Sequence, residues 1–125
     1  MKPISLFFGI TAVVVFVQLL LGGLLTFNFI DPGVHIMIGL AVFVLAIVTM
    51  ILSLITKPKI RSLQTTSIVV VLLIIIQIVL GFNTLATGNQ LVAWLHFVNA
   101  MAIYGAVTSG VFISMRLPRA LSLQK

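Results

Sequence analysis

Residues 63–82 read LQTTSIVVVLLIIIQIVLGF, and after Ser67 the only strongly polar side chain in this stretch is Gln77. The apolar residues follow one another without a gap. Neither the period-2 alternation of a half-buried strand nor the polar stripe of a surface helix interrupts them. A run of this length matches the ~20 residues that an α-helix needs to cross roughly 30 Å of hydrocarbon. Hydrocarbon offers no water to backbone N–H and C=O groups, so only helices or closed barrels can cross it. Without alternation, a helix is the expectation.

Three further runs have the same character, so helices are expected over about 4–27, 34–55, 63–82 and 91–115. Of the 125 residues, 62% are hydrophobic and 6% charged, with a mean hydropathy of +1.37. That leaves too little polar surface to cover a soluble domain. The predicted fold class is therefore an all-α integral membrane protein, a single four-transmembrane-helix bundle over residues 1–125. Asn28 and Asp31-Pro32-Gly33 punctuate the first turn and residues 56–62 form the second connection. Residues 83–90 read as a polar turn around Gly88, and Pro118 is expected to help end the last helix. Lys2 precedes the first run, but that run far exceeds the 7–15 apolar residues of a signal-peptide core, so its retention is expected.

The formal net charge of +6 would suggest nucleic acid in a soluble chain. Here every basic residue flanks an apolar span, and membrane lipid replaces nucleic acid as the expected partner. Lys2, Lys57, Lys59, Arg61, Arg116, Arg119 and Lys125 all fall on one side of the expected topology. Asp31, the sole acidic residue, lies on the other. The positive-inside rule then predicts a multi-pass protein of the cell (plasma) membrane with both termini cytoplasmic. The Asp31 and Gly88 turns would face outward. Cysteine is absent, which removes disulfides, thiolate catalysis, thiolate metal sites and covalent c-type haem attachment.

The two halves of the chain resemble each other. Gln18-Leu-Leu-Leu-Gly22 in the first helix matches Gln77-Ile-Val-Leu-Gly81 in the third. Each motif is followed by an outer turn and then by a histidine, His35 or His96, near the start of the next helix. Repeat 1 covers about 4–55 and repeat 2 about 63–115. Both begin on the same side, so this is a parallel repeat of two helical hairpins about an axis along the membrane normal. On helix two, His35, Gly39, Val42, Ala46, Thr49 and Ser53 follow steps of four and three and share one face. His96, Ala100, Ile103, Val107, Gly110 and Ser114 follow identical steps on helix four. Stripes of small residues usually mean close helix packing. Packing alone does not account for a histidine at the head of both stripes.

Ionisable residues inside membrane spans are costly and point to function by default. Interfacial placement is the plain alternative, since His35 lies within a turn of the outer loop and His96 lies near Trp94. Three functional readings stand beside it. A haem accepts one axial imidazole on each face, and facing helices of a bundle can supply the pair. On this reading His35 and His96 are the iron ligands. Gly39 and Ala100, one turn below them, supply room for a flat macrocycle, and Gln18 and Gln77 supply hydrogen bonds. Gly22 and Gly81 complete the expected pocket. A non-haem metal normally recruits three or four ligands, which two histidines, one aspartate and no cysteine supply poorly. A small proton-coupled transporter would rely on a glutamate in helix one, and the chain has no glutamate. Met101 reads as core filler and Tyr104 as a hydrogen-bond donor, neither as a ligand.

The pattern Gln18-x-x-x-Gly22…His35-x-x-x-Gly39, repeated as Gln77-x-x-x-Gly81…His96-x-x-x-Ala100, resembles one half of haem A synthase, a family of cytochrome oxidase assembly proteins. The resemblance covers about residues 14–115. Family members commonly have two four-helix halves, each holding a haem through histidines on its second and fourth helices. The resemblance therefore implies that His35 and His96 are axial ligands of haem b, or of haem O or A. It implies a role in oxidising a haem O methyl group to the formyl of haem A, or in electron transfer at the outer face. A chain of one half would work as a homodimer or in a simpler role. The family's catalytic half carries a glutamate three residues before the first histidine. Pro32 stands there in this chain, and Asp31, the catalytic candidate, is one residue further away. An ordinary turn or helix-capping role for Asp31 competes with that assignment. The outer-loop cysteine pair of many bacterial members is missing too, so the pattern fits the haem-b half better. The alternative is an accessory or assembly subunit of a terminal oxidase or other respiratory complex, with no haem of its own.

Overall fold

In the computed structural model, residues 3–122 are described, with side chains described as far as Arg116. They form four helices: α1 (Pro3–Thr26), α2 (Pro32–Ile55), α3 (Arg61–Thr87) and α4 (Gln90–Ser122). Each is long and apolar enough to cross a membrane, and the chain is an all-α, multi-pass membrane bundle. Large apolar side chains cover its outside, among them Val13, Leu20, Val44, Leu72 and Val79, each more than half exposed. In water such a surface would drive aggregation. Against lipid it is the required solvent-facing face.

Local chemistry sets the helix ends. Asp31 caps α2, its Oδ1 accepting the Gly33 N–H at 2.7 Å, and Pro32 occupies the first turn, where its missing N–H costs nothing. The third helix runs five residues beyond its expected end. Residues 83–87, expected to begin a polar turn, are helical, because the hydroxyls of Thr84 and Thr87 donate to the carbonyls of Leu80 and Asn83. Short polar side chains that bond back to their own helix remain compatible with it. The stop is Gly88, left-handed at φ +62°, whose N–H bonds to the Thr84 carbonyl. Asn89 then accepts the N–H groups of Leu91 and Val92 and starts α4. The last helix likewise continues past Pro118 to Ser122. A proline removes one backbone bond there, which a helix near its end can lose and still continue. Of the basic residues, Lys2, Lys125 and the Arg119 side chain lie outside the described residues.

Helices consecutive in the chain pack on each other, and α1 also closes onto α4, so α2 and α4 stand on one diagonal and α1 and α3 on the other. The faces read from sequence point inward. The buried residues of α2 are Val42, Ala46, Thr49 and Ser53, and Ile103, Val107, Gly110 and Ser114 are buried on α4. Side-chain hydrogen bonds tie neighbours together. Thr11 and Thr49 hydroxyls meet at 3.1 Å between α1 and α2, and Ser53 meets Ser67 between α2 and α3. Phe8, buried from α1, lies directly over Gly110 of α4.

The buried residues are confined to one half of the bundle. They lie within 4–15 on α1, 42–53 on α2, 63–74 on α3 and 103–114 on α4. These segments surround the end that carries the 56–60 connection. Among residues 16–41 and 75–102, all of them described, none is buried. The half beneath the two turns has no packed core of its own.

Candidate functional site: the histidine pair

That half contains the sequence-marked polar residues. Gln18 and His35 come from the α1–α2 hairpin, Gln77 and His96 from α3–α4, and all four are partly buried. The histidines belong to diagonally opposed helices, and their rings still meet across the bundle axis, with centroids 6.2 Å apart and planes inclined at 64°. No helix pairing brings α2 against α4. The two imidazoles reach across that diagonal.

Each histidine is held by the glutamine of its own hairpin. Gln18 Nε2 donates to His35 Nε2 at 3.2 Å, and Gln77 Nε2 donates to His96 Nε2 at 3.2 Å. The equal distances arise although 17 residues separate the first pair and 19 the second. The glycines explain the close approach. A Cβ on Gly22 would stand 3.4 Å from His35 Cε1, and one on Gly81 would stand 3.0 Å from His96 Cε1. Each ring therefore lies on a helix surface bare of side chain. At Gly39 the missing Cβ seats the Gln18 carboxamide, whose Nε2 would come within 3.0 Å of that atom. Ala100, partly buried, occupies the matching place on α4.

Beyond these shared bonds the hairpins differ. His96 Nδ1 donates to the Gln77 carbonyl at 3.1 Å, and Gln77 Oε1 accepts from Asn99 Nδ2 at 2.7 Å. Asn99 Nδ2 also donates to the Leu73 carbonyl at 2.9 Å. In the first hairpin, Gln18 Nε2 additionally donates to the His35 carbonyl at 2.8 Å. Gln18 Oε1 and His35 Nδ1 are buried without partners. Asn99 was not picked out from sequence. The available signal was an amide inside an apolar span, three residues after His96, where repeat 1 has Ile38 three residues after His35.

Asp31 stands apart from the pair. It is exposed, and its carboxylate is engaged in capping α2. Met101 is half exposed and Tyr104 packs its ring on Phe16, with centroids 5.9 Å apart. Among the described residues, no three His, Cys, Asp or Glu side chains cluster as a metal site would require. Two nitrogen donors on opposite sides of an axis are what remains. Such a set suits a metal whose other ligands come from a macrocycle. Comparison with family models, curated proteins and solved structures finds no match for this chain.

The donor set and its surroundings fit a haem on three counts. Two imidazoles bound to opposite faces of one metal, with metal–nitrogen bonds of about 2 Å, hold their ring centroids roughly 6 Å apart. The observed separation is 6.2 Å. Both Nε2 atoms act as hydrogen-bond acceptors, so each carries the lone pair that a metal would take on displacing the glutamine amide now bonded to it. The surrounding half-bundle lacks buried residues of its own, and the unpartnered Gln18 Oε1 and His35 Nδ1 add polar groups still to be satisfied there.

Proposed function

We propose that this chain is a membrane haem protein that holds one b-type haem, or haem O or A, between His35 and His96. The observation that carries the reading is the 6.2 Å histidine pair spanning the diagonal of the half-bundle that has no packed core. The resemblance of both hairpins to one half of haem A synthase supports the same assignment. His35 and His96 would ligate the iron. Gln18 and Gln77 would orient the imidazoles, and Gly22 and Gly81 would let the rings seat against α1 and α3. Bound there, a haem supplies one-electron chemistry, for electron transfer or for haem A formation at the outer membrane face.

The chain's own contribution is orientation and exclusion of water. His96 donates its Nδ1 proton to a backbone carbonyl, the arrangement that fixes a ligating imidazole and raises its basicity. The lipid-facing apolar surface keeps the site at low dielectric. The clustering of basic residues beside the spans supports cytoplasmic termini, which puts the pair toward the outer face of the plasma membrane. Asp31, capping α2 at that face, is the acidic residue nearest in sequence to the pair. Its engagement as a cap favours the electron-carrier version over the catalytic one. A homodimer would supply a second haem site where a family enzyme has its second half.

One observation favours a different reading. Both histidine Nε2 atoms are already satisfied by glutamine amides. As purely structural pins, the His–Gln pairs would hold each hairpin together in an accessory or assembly subunit of a respiratory complex. A visible spectrum of the detergent-purified chain, oxidised and then dithionite-reduced, separates the two. The haem reading expects a sharp low-spin alpha band, weakened or converted to high spin in His35→Ala and in His96→Ala. A preparation that stays colourless after haem is supplied rejects it in favour of the accessory subunit.

A further inference from the structure

The two histidines are related by the repeat, yet they are not held alike. Around His96, both ring nitrogens, both ends of the Gln77 amide and the Asn99 NH2 have partners. The Leu73 carbonyl can only accept, so it fixes which end of the Asn99 amide is NH2. Asn99 in turn donates to Gln77 Oε1, which turns the Gln77 NH2 toward His96 Nε2. The Gln77 carbonyl takes the proton on His96 Nδ1. Two backbone carbonyls thus bracket the chain of side chains and permit a single orientation for each. His96 has one tautomer, with its proton on Nδ1 and its lone pair on Nε2.

His35 is bracketed at one end only: its own backbone carbonyl accepts from Gln18 Nε2 and so fixes the Gln18 NH2, but the far side of the ring is not held. Its Nε2 also accepts from a glutamine, which leaves the proton on Nδ1, but that Nδ1 has no acceptor. Gln18 Oε1, the atom that Asn99 engages in the other repeat, has no donor. The missing donor is visible in the sequence, since the position three residues after the histidine is Asn99 in repeat 2 and Ile38 in repeat 1. The missing acceptor is not, because His96 Nδ1 is taken by a backbone carbonyl, that of Gln77. A buried donor without a partner is penalised, so alternative ring and tautomer states of His35 lie close in energy. The corresponding states of His96 would break made bonds.

We infer that His96 is the fixed member of the pair and His35 the exchangeable one, because only His96 has an acceptor for its Nδ1 proton, and that Asn99 is a positioning residue that reinforces this by holding the Gln77 amide against His96 Nε2. This deepens the haem reading and rests on it only for the consequence at iron: the His96 side would remain bound while the His35 side is the one able to release and admit a small exogenous ligand. The inequality of the two imidazoles belongs to the polypeptide itself.

The test uses the full-length chain produced without haem, with 15N-labelled histidine, in lipid nanodiscs. Long-range 1H–15N correlation reads each tautomer, and exchange with water reads the lifetime of each Nδ1 proton. His35→Ala and His96→Ala assign the two signals. The expected result is one tautomer and slow exchange for His96, with averaged nitrogen shifts and exchange roughly tenfold faster for His35, the size expected for one net hydrogen bond. Asn99→Leu, which leaves the Nδ1 bond to the Gln77 carbonyl in place, should shorten the His96 proton lifetime only part of the way toward that of His35. Ile38→Asn, which offers Gln18 Oε1 a donor but His35 Nδ1 no acceptor, should leave His35 exchange fast. If the two histidines behave alike in the parent chain, or if Ile38→Asn alone makes His35 as slow as His96, the inference is overturned. Should Asn99→Leu fail to fold, the parent comparison and Ile38→Asn decide. A chain that shows the split yet takes up no haem sinks the haem reading and leaves this inference standing. A haem-binding chain with two equivalent imidazoles does the reverse.

Discussion

The half of the bundle next to the 56–60 connection and the half beneath the Asp31 and Gly88 turns are made from the same four helices and nearly the same apolar composition. In the first half the inward positions are Phe8, Thr11, Val42, Ala46, Leu63, Ile74, Ile103 and Val107, all buried. In the second they are Gln18, Gly22, Gly39, Gln77, Gly81 and Ala100 with the two histidines, and none is buried. Large side chains interlocked with small ones close the first half. In the second, the imidazoles and glutamine amides lie on glycine surfaces and meet across the axis, without burying any whole residue. What this teaches is that burial within a membrane bundle is not set by hydropathy, since lipid accepts apolar residues as readily as the core does. It is set by whether facing side chains fill the space between helices.

Substitutions that treat the two halves alike should therefore have unlike effects. The largest difference is expected for Leu→Ala. Leu63, 2% exposed, should cost about 2–5 kcal/mol in Leu63→Ala, because the cavity cannot collapse. Leu20, 54% exposed in the other half, should change stability by less than about 0.5 kcal/mol in Leu20→Ala. Loss of helical ellipticity on titration with a denaturing detergent measures both. Equal losses would show that the second half is as tightly packed as the first.

Glycine substitutions sharpen the comparison at the next scale down. A Cβ at Gly110 would lie 2.2 Å from Phe8 Cε1, and Phe8, 1% exposed, has nowhere to turn. Gly110→Ala should therefore cost about 1–3 kcal/mol by overpacking. Gly23, with nothing within 4 Å of its would-be Cβ, should tolerate alanine or gain from it. The same detergent titration distinguishes them, and a neutral Gly110→Ala would contradict the closeness of α1 and α4. Within the closed half the smallest loss is expected at Thr11, whose hydroxyl meets Thr49 at 3.1 Å. Thr11→Val keeps the shape and removes one interhelical bond, for about 0.6 kcal/mol. A loss several times larger would mean that polar contacts rather than packing hold the closed half.

Much of the architecture could be read from the chain because the bilayer narrows the choices. Continuous apolar runs must be helices there, and their lengths are dictated by membrane thickness. The inward faces of α2 and α4 followed from helical spacing alone. The end of α3 differs from its expected place at residues 83–87, since Asn and Thr suggest a turn, whereas the threonine hydroxyls bond back along the helix. At the candidate site, the repeats share Gln18, His35, Gln77 and His96, which makes these residues legible in the sequence. Asn99 is hidden from that comparison because it stands where the repeats differ.

The sequence by itself determined four apolar spans, their turns, the duplicated glutamine–histidine hairpin and the face on which each histidine lies. All of these depend on interactions within one helix or between a helix and its solvent, which linear spacing encodes. Only the tertiary structure decided that α2 and α4 are diagonal, that their histidines meet at 6.2 Å, and that burial stops midway along the bundle. It alone decided that Asn99 reaches Gln77 while Gln18 Oε1 is left without a donor. Those outcomes depend on the order of helices around the axis and on distances between side chains remote in sequence, which only simultaneous packing of all four helices sets.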